Sequence, residues 1–160
     1  MRIIAIDPGF GRLGVAVLEQ KLKETLIFSE CFETSPKTPF PERILDIGGK
    51  VAEIIKIFKP EEAALEKLFF SANQKTAMNV AEARGAILYE LARSKIPIFE
   101  YTPLQIKTAL TSYGRADKSQ IELMVSKILS VDLKKKKDDE IDAIAVGITH
   151  FSSRKSLRRH

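Results

Sequence analysis

The stretch Arg2-Ile3-Ile4-Ala5-Ile6-Asp7-Pro8-Gly9 decides how the rest of the chain is read. A short apolar run closed by a turn signal is the pattern of a buried strand. Asp7 ends that run immediately before Pro8-Gly9. An acid at the C-terminal end of a buried strand stands where α/β sheets place their ligands. Read alone, Asp-Pro-Gly is more simply a turn former. Its weight depends on what the chain brings beside it.

Two further β-rich segments follow, Gly14 to Leu18 and Leu22 to Thr34, with a turn near Gln20-Lys21, so the chain opens as three antiparallel strands. The proline-punctuated loop 35–41 leads into a helix from Pro41 to Phe58. There Ile44, Ile47, Val51, Ile54, Ile55 and Phe58 keep helical spacing, and Pro60 ends the run. Ala63 to Glu66 reads as a short strand, Asn73 to Lys95 as a long helix and Ile96 to Tyr101 as another strand. Thr102-Pro103-Leu104-Gln105 is a helix start, with capping threonine, proline at the first helical position and glutamine at the third. Asp117-Lys118-Ser119-Gln120 repeats it less strictly, and a last helix starts near Asp138 and passes His150. The order β-β-β-α-β-α-β-α-α-α predicts an α/β fold, with a mixed five-stranded sheet flanked by helices.

The 160 residues, 44% hydrophobic and 29% charged, fit one soluble domain with a core of its own. We expect that domain over 1–152, followed by a basic tail at 153–160. No apolar run approaches the ~18 residues of a membrane span, and Arg2 to Ile6 lacks signal-peptide anatomy, so a cytoplasmic protein without a membrane partner is expected. Cys31, the only cysteine, excludes a disulfide framework and a zinc cluster and reads as a core strand residue. Net charge is +5, but Arg154, Lys155, Arg158 and Arg159 supply much of it, so the body of the domain is nearly balanced.

Three elements carry acids at apolar margins. Glu66 closes a short apolar strand, where a carboxylate is costly to bury unless paired or metal-bound; an edge-strand glutamate in solvent is the plainer alternative. The last helix carries Asp138-Asp139-Glu140-Ile141-Asp142. Asp139 and Asp142 share a face, Asp138 also reaches Asp142 by four-residue spacing, and spacing does not choose between Asp138 and Asp139. Acids in the first turn favour the helix N-terminus in any case. That does not explain Asp142, which borders the apolar stripe Ile141, Ile144, Ala145 and Ile148. An oxygen-only donor set suits Mg²⁺ or Mn²⁺ rather than zinc. Two such ions ~4 Å apart clamp the attacking and leaving oxygens of a phosphodiester.

With these residues in view the chain resembles the RuvC family of Holliday-junction resolvases, which have the ribonuclease-H-like fold. The resemblance runs through Ile6-Asp7-Pro8-Gly9 with Gly14, Leu65 to Phe70, Ala83-Arg84-Gly85, Tyr101 to Lys107, Gly114 to Gln120, Asp139 to Ala143, and Thr149-His150. It implies a crossover junction endodeoxyribonuclease acting in recombination and repair. Its metal-binding acids would be Asp7, Glu66, Asp139 and Asp142, with Asp139 preferred to Asp138 and two Mg²⁺ per site, Mn²⁺ able to substitute. It implies that Phe69 stacks on or wedges between bases at the junction centre, as an aromatic does without reading sequence. Lys107 and Lys118 match positions near the scissile phosphate, each close to a capped helix start where anions are favoured. Arg84 matches a family arginine that serves either a phosphate or a structural carboxylate.

The chain departs from the family in places. Leu13 stands where threonine is common, Ala81 where glycine is common, and Lys67 where glutamine is usual beside the catalytic glutamate, adding a phosphate contact on this reading. The run Lys134 to Lys137 is particular to this chain and reads as a DNA contact because it abuts the acids. His150 reads as packing or hydrogen bonding rather than metal binding.

The expected reaction is hydrolysis by an activated water, leaving 5′-phosphate and 3′-hydroxyl ends by paired nicks, with Lys107 and Lys118 offsetting charge on the phosphate. A four-way junction is pseudo-two-fold, so a homodimer is expected. The long helix, through Val80, Ala83, Ile87 and Leu88, is the candidate interface, and a RuvA-RuvB branch-migration complex is the partner the family implies. Three rivals are weighed. A YqgF-like or ribonuclease-H nuclease would act on RNA or hybrid. A sugar-kinase or actin-like ATPase needs two domains and a longer chain. A non-catalytic junction-binding protein would not need all four acids.

Overall fold

The computed structural model describes residues 1–67 and 74–157, without side-chain detail at 74–76 and 155–157. The chain runs β1 (Arg2–Asp7), β2 (Arg12–Gln20), β3 (Glu24–Glu33), α1 (Phe40–Phe58), β4 (Glu62–Glu66), α2 (Gln74–Arg93), β5 (Ile98–Tyr101), α3 (Pro103–Thr111), α4 (Lys118–Leu129) and α5 (Asp138–Leu157). The sheet order is β3-β2-β1-β4-β5. β1 to β3 form an antiparallel meander, and β4 and β5 add in parallel beyond β1. The mixed five-stranded sheet expected from the sequence is therefore present, and each predicted element lies within a few residues of its expected bounds.

Strand alternation sorts the core into two layers. Ile4, Ile6, Val15, Val17, Ala63 and Leu65 meet α1 and α2 through Ile47, Val51, Ile54, Ala83, Ile87 and Leu91. Ile3, Ala5, Ala16, Leu18 and Ala64 meet α3, α4 and α5 on the other face. Residues of the second parity include Asp7, Gly14, Glu62 and Glu66. One periodicity thus packs the sheet and aims both strand acids toward α5.

The helix starts follow their caps. Thr102 and Asp117 each accept a hydrogen bond from the backbone N–H three residues on, and Gln105 and Gln120 return the bond to the capping residue. Both boxes are complete, including the one whose sequence fits the pattern less strictly. α1 ends at Lys59 in the left-handed conformation, just before Pro60.

Two expectations need correction. Ala83 and Ile87, assigned to an intersubunit surface, are wholly buried against the sheet of their own chain. The face of α2 left to solvent carries Met78, Ala81, Gly85 and Tyr89 instead. The basic segment expected to leave the domain at 153 begins inside α5, which continues to Leu157.

Candidate active site

Asp7 pairs with Gly14 across β1 and β2, and Ile6 pairs with Leu65, so Glu66 stands beside Asp7 at the parallel strand ends. Gly14 explains how α5 comes so near. A Cβ at this position would lie 1.9 Å from the Asp139 carbonyl oxygen and 3.2 Å from Asp7 Cβ. Only a residue without a side chain lets the first turn of α5 pass over β2 there. Asp142 follows one turn later, at the edge of the stripe Ile141, Ile144, Ala145 and Ile148, all buried on the sheet.

The electrostatics show that these acids are mutual neighbours. The Asp7 carboxyl is pushed from 3.8 up to about 8, first by burial, then by the charges of Glu66, Asp142 and Asp139. Glu66 is raised by burial and by Asp142, while its hydrogen bond with Asp7 acts in the opposite sense. A protonated Asp7 donating to an ionised Glu66 accounts for both directions. Asp142 is raised by burial and by Asp139 and Asp138, against the opposing charge of Lys118.

The two helix acids also have basic company. Lys118 Nζ lies 3.9 Å from Asp142 and 2.9 Å from Asp138. Arg12 lies 3.8 Å from Asp139 and 3.5 Å from Glu33. Among the described residues no three carboxylates are gathered closely enough to form a finished metal cage. Like charges repel, and the outer two lean on basic neighbours. Asp138 is turned out to Lys118 and is largely exposed, whereas the Asp139 side chain is three-quarters covered.

Comparisons with known proteins cover nearly the whole chain. The family model for the crossover junction endodeoxyribonuclease RuvC matches residues 3–150. The chain belongs to the RuvC family. The RuvC protein of Petrotoga mobilis is 43% identical over 159 residues, covering 99% of this chain and 98% of the relative. A Thermus thermophilus RuvC in complex with a Holliday junction substrate is 35% identical and superposes with a TM-score of 0.92, covering 98% of this chain and 96% of that one. The yeast mitochondrial Holliday junction resolvase Ydc2, at 13% identity and a TM-score of 0.74 over 99% of this chain and 80% of that one, shares the fold. The sheet and helices are those of RuvC structures, a ribonuclease-H-like fold.

The remaining candidates are spread around these acids. Lys118, first residue of α4, stands at the acids as described. Lys107 is half-buried in α3, and its charge adds a little to the Ser119 hydroxyl and Gln120 N–H hydrogen bonds that hold Asp117 low. Lys67 is exposed just beyond Glu66. Arg84 pairs with Glu100 on β5, so of the two partners left open for it, the structure supplies the carboxylate. Phe69 lies outside the described residues.

Three features escaped the sequence reading. Arg12 has the parity of Gly14 and so points to the α5 face, a signal that strand alternation carried. Cys31 is half-exposed rather than core; it pairs with Gly14 and its thiol lies 3.8 Å from Asp139. Burial and Asp139 raise that thiol to about 11. In the basic run, Lys136 is tied to Glu140 and Ser29 at 2.7 and 2.8 Å, and Lys137 to Glu33 at 2.8 Å. These two lysines anchor the loop before α5 to β3.

Proposed function

We propose that the protein is a divalent-metal-dependent endonuclease that resolves four-way DNA junctions by paired symmetric nicks, leaving 5′-phosphate and 3′-hydroxyl ends. It would act in the cytoplasm, in recombination and DNA repair. The observation that carries this reading is Asp7 at the end of β1, a carboxyl raised to about 8 by burial and by three other acids at the ends of β4 and α5. Such a cluster favours a hard cation, because the charges that raise the carboxyl are the charges a cation relieves. The donor set is all oxygen, which fits Mg²⁺, two per site, with Mn²⁺ able to substitute. Asp7, Glu66, Asp139 and Asp142 would hold the ions. When bound, the ions supply charge stabilisation at the phosphate and a nucleophile at neutral pH.

The protein's own groups do the rest. Asp7 and Glu66, fixed on adjacent strands, give the site a rigid floor. Lys118 at the N-terminus of α4 would leave its two aspartates to meet the scissile phosphate, where the helix end also favours an anion. Lys107, Arg12 and Lys67 would offer further positive charge along the DNA backbone. Arg84, held by Glu100, would serve the DNA less directly. Phe69 would occupy the junction centre and stack on bases. A second copy of the chain would present an identical site to the opposed strand, docking through the exposed stripe Met78, Ala81, Gly85 and Tyr89 of α2.

The test is a nicking assay on a synthetic four-way junction, a linear duplex and an RNA–DNA hybrid, each with and without Mg²⁺. Paired Mg²⁺-dependent nicks in the junction alone are expected. Preferential cutting of the hybrid would move the protein to a ribonuclease-H activity. Binding of the junction without cleavage when Mg²⁺ is present would leave only a junction-binding role.

A further inference from the structure

His150 is wholly buried on α5, eight residues past Asp142. Its Nε2 lies 2.7 Å from Glu62 Oε2 and its Nδ1 lies 2.8 Å from the Tyr101 hydroxyl. Glu62 also accepts from Arg154 on the next turn of α5. A neutral imidazole suits these partners: Nε2–H donates to Glu62, and Nδ1 accepts from the Tyr101 O–H. Phe99 packs on the imidazole, with ring centroids 4.9 Å apart. None of these groups enters the reaction described above.

Their placement is what matters. Glu62, Ala64 and Glu66 share one face of β4, and the outer two are its first and last residues. Glu62 and Glu66 are therefore about 13 Å apart along the strand. Asp142 and His150 are about 12 Å apart along the helix. α5 thus runs against β4 with acid meeting acid at one end, and His150 meeting Glu62 at the other.

Between these ends the contact is apolar. Ala143, Ile144, Ala145 and Ile148 lie in one buried cluster with Ala5, Ala16, Leu18 and Ala64 of the sheet. A Cβ at Gly147 would lie 2.5 Å from Leu18 Cδ1 and 3.2 Å from Ala5 Cβ. This packing brings helix and sheet close, and because burial of apolar surface is itself non-directional, directional contacts add to the definition of axial register. Hydrogen bonds between buried polar groups are directional, and fixing register is their best-attested use.

We propose that His150, with Glu62 and Tyr101, is a positioning residue that sets the axial register of α5 on β4, and so the approach of Asp139 and Asp142 to Asp7 and Glu66. The proposal rests on the metal-site reading given above. A slip of α5 by a fraction of an ångström at His150 is passed along a rigid helix to Asp142. The site then binds cation less well although each of its four carboxylates is intact.

Glu62→Gln, His150→Gln and Tyr101→Phe remove charge or hydrogen bonds with little change of volume. Ile54→Val, in the core on the opposite face of the sheet, lowers stability without touching the network. Each protein is stripped with EDTA and titrated with Mn²⁺ by calorimetry, and junction cleavage is resolved into kcat and KM. We expect the Mn²⁺ midpoint to rise at least five-fold in Glu62→Gln and His150→Gln. We also expect kcat to fall at least ten-fold, KM to stay within two-fold, and Tyr101→Phe to lie between these variants and wild type. Ile54→Val should lower Tm and leave the midpoint in place. Unchanged midpoints in the network variants would overturn the proposal, as would an equal shift in Ile54→Val. If wild type binds Mn²⁺ and the network variants lose it, yet wild type cuts no junction, the junction-resolving function falls and the positioning role stands.

Discussion

Asp7→Asn should make the metal-free protein more stable while abolishing its activity. The Asp7 carboxyl, ordinarily near 3.8, is held at about 8 in the folded chain. Between those values the folded state holds a proton that the unfolded state has released. Stability contributed by the protonated form is complete below pH 4 and is lost as pH rises toward 8, at about 1.4 kcal/mol per unit. At pH 7 that slope forfeits on the order of 4 kcal/mol, which water entry and relaxation of the half-exposed Asp142 reduce to about 2–4 kcal/mol. Asparagine has nearly the same shape and carries no charge, so it recovers most of that amount. For a chain of this length 1 kcal/mol is roughly 2–4 °C in Tm, and the expected gain is about 4–16 °C at pH 7. The assay is thermal unfolding by circular dichroism in EDTA from pH 4.5 to 8. The gap between variant and wild type should close toward pH 4.5, and Mg²⁺ should raise the Tm of wild type far more than that of the variant. A variant no more stable than wild type at pH 8, or a gap independent of pH, would refute the reasoning.

Alanine at Asp7 or Asp142 should abolish junction nicking and leave junction binding in EDTA within a few-fold, measured by gel shift; cleavage by both variants at the wild-type rate would remove these acids from the site. Gly14→Ala should cost about 2 kcal/mol or more, because its Cβ meets the Asp139 carbonyl at 1.9 Å and α5 must shift. Urea unfolding measures that cost, and a cleavage assay should show a parallel loss of rate. Asp117→Ala breaks the capping box of α4 and should cost about 1 kcal/mol; since the same cap sets the helix end that presents Lys118, cleavage should slow as well.

The sheet was legible because strand alternation and helical spacing are local properties. Residues 2–7 reveal a buried strand, and Thr102 and Asp117 announce helices, whatever surrounds them. The proposed acids draw notice for a related reason: Asp142 sits beside apolar residues that must be buried, and Glu66 closes a strand. What spacing alone left open was the choice between Asp138 and Asp139. That choice depends on which side of α5 faces β2, and hence on the close approach at Gly14. A glycine's reason for being where it is lies in the partner that crosses it, here 125 residues away.

The misread residues are those whose role depends on a partner distant in sequence. Ala83 and Ile87 are apolar on a helix, and periodicity does not distinguish a stripe facing the sheet from one facing a second subunit. Cys31 is apolar enough for a core, but its register partner is Gly14, and the space this glycine leaves is the edge of the acid cluster. Lys136 and Lys137 are basic next to acids, which suggests DNA; their pairing with Glu140, Ser29 and Glu33 from α5 and β3 is what spacing does not reveal. For His150 the reading as packing or hydrogen bonding holds, and only the identity of its partners shows the same dependence. A histidine on an apolar helix face has no meaning until Glu62 and Tyr101 are brought to its two nitrogens. The chain therefore presents its charges in two grades: acids at strand and helix ends, which sequence exposes, and the buried contacts that fix how those ends meet, which only the packed fold reveals.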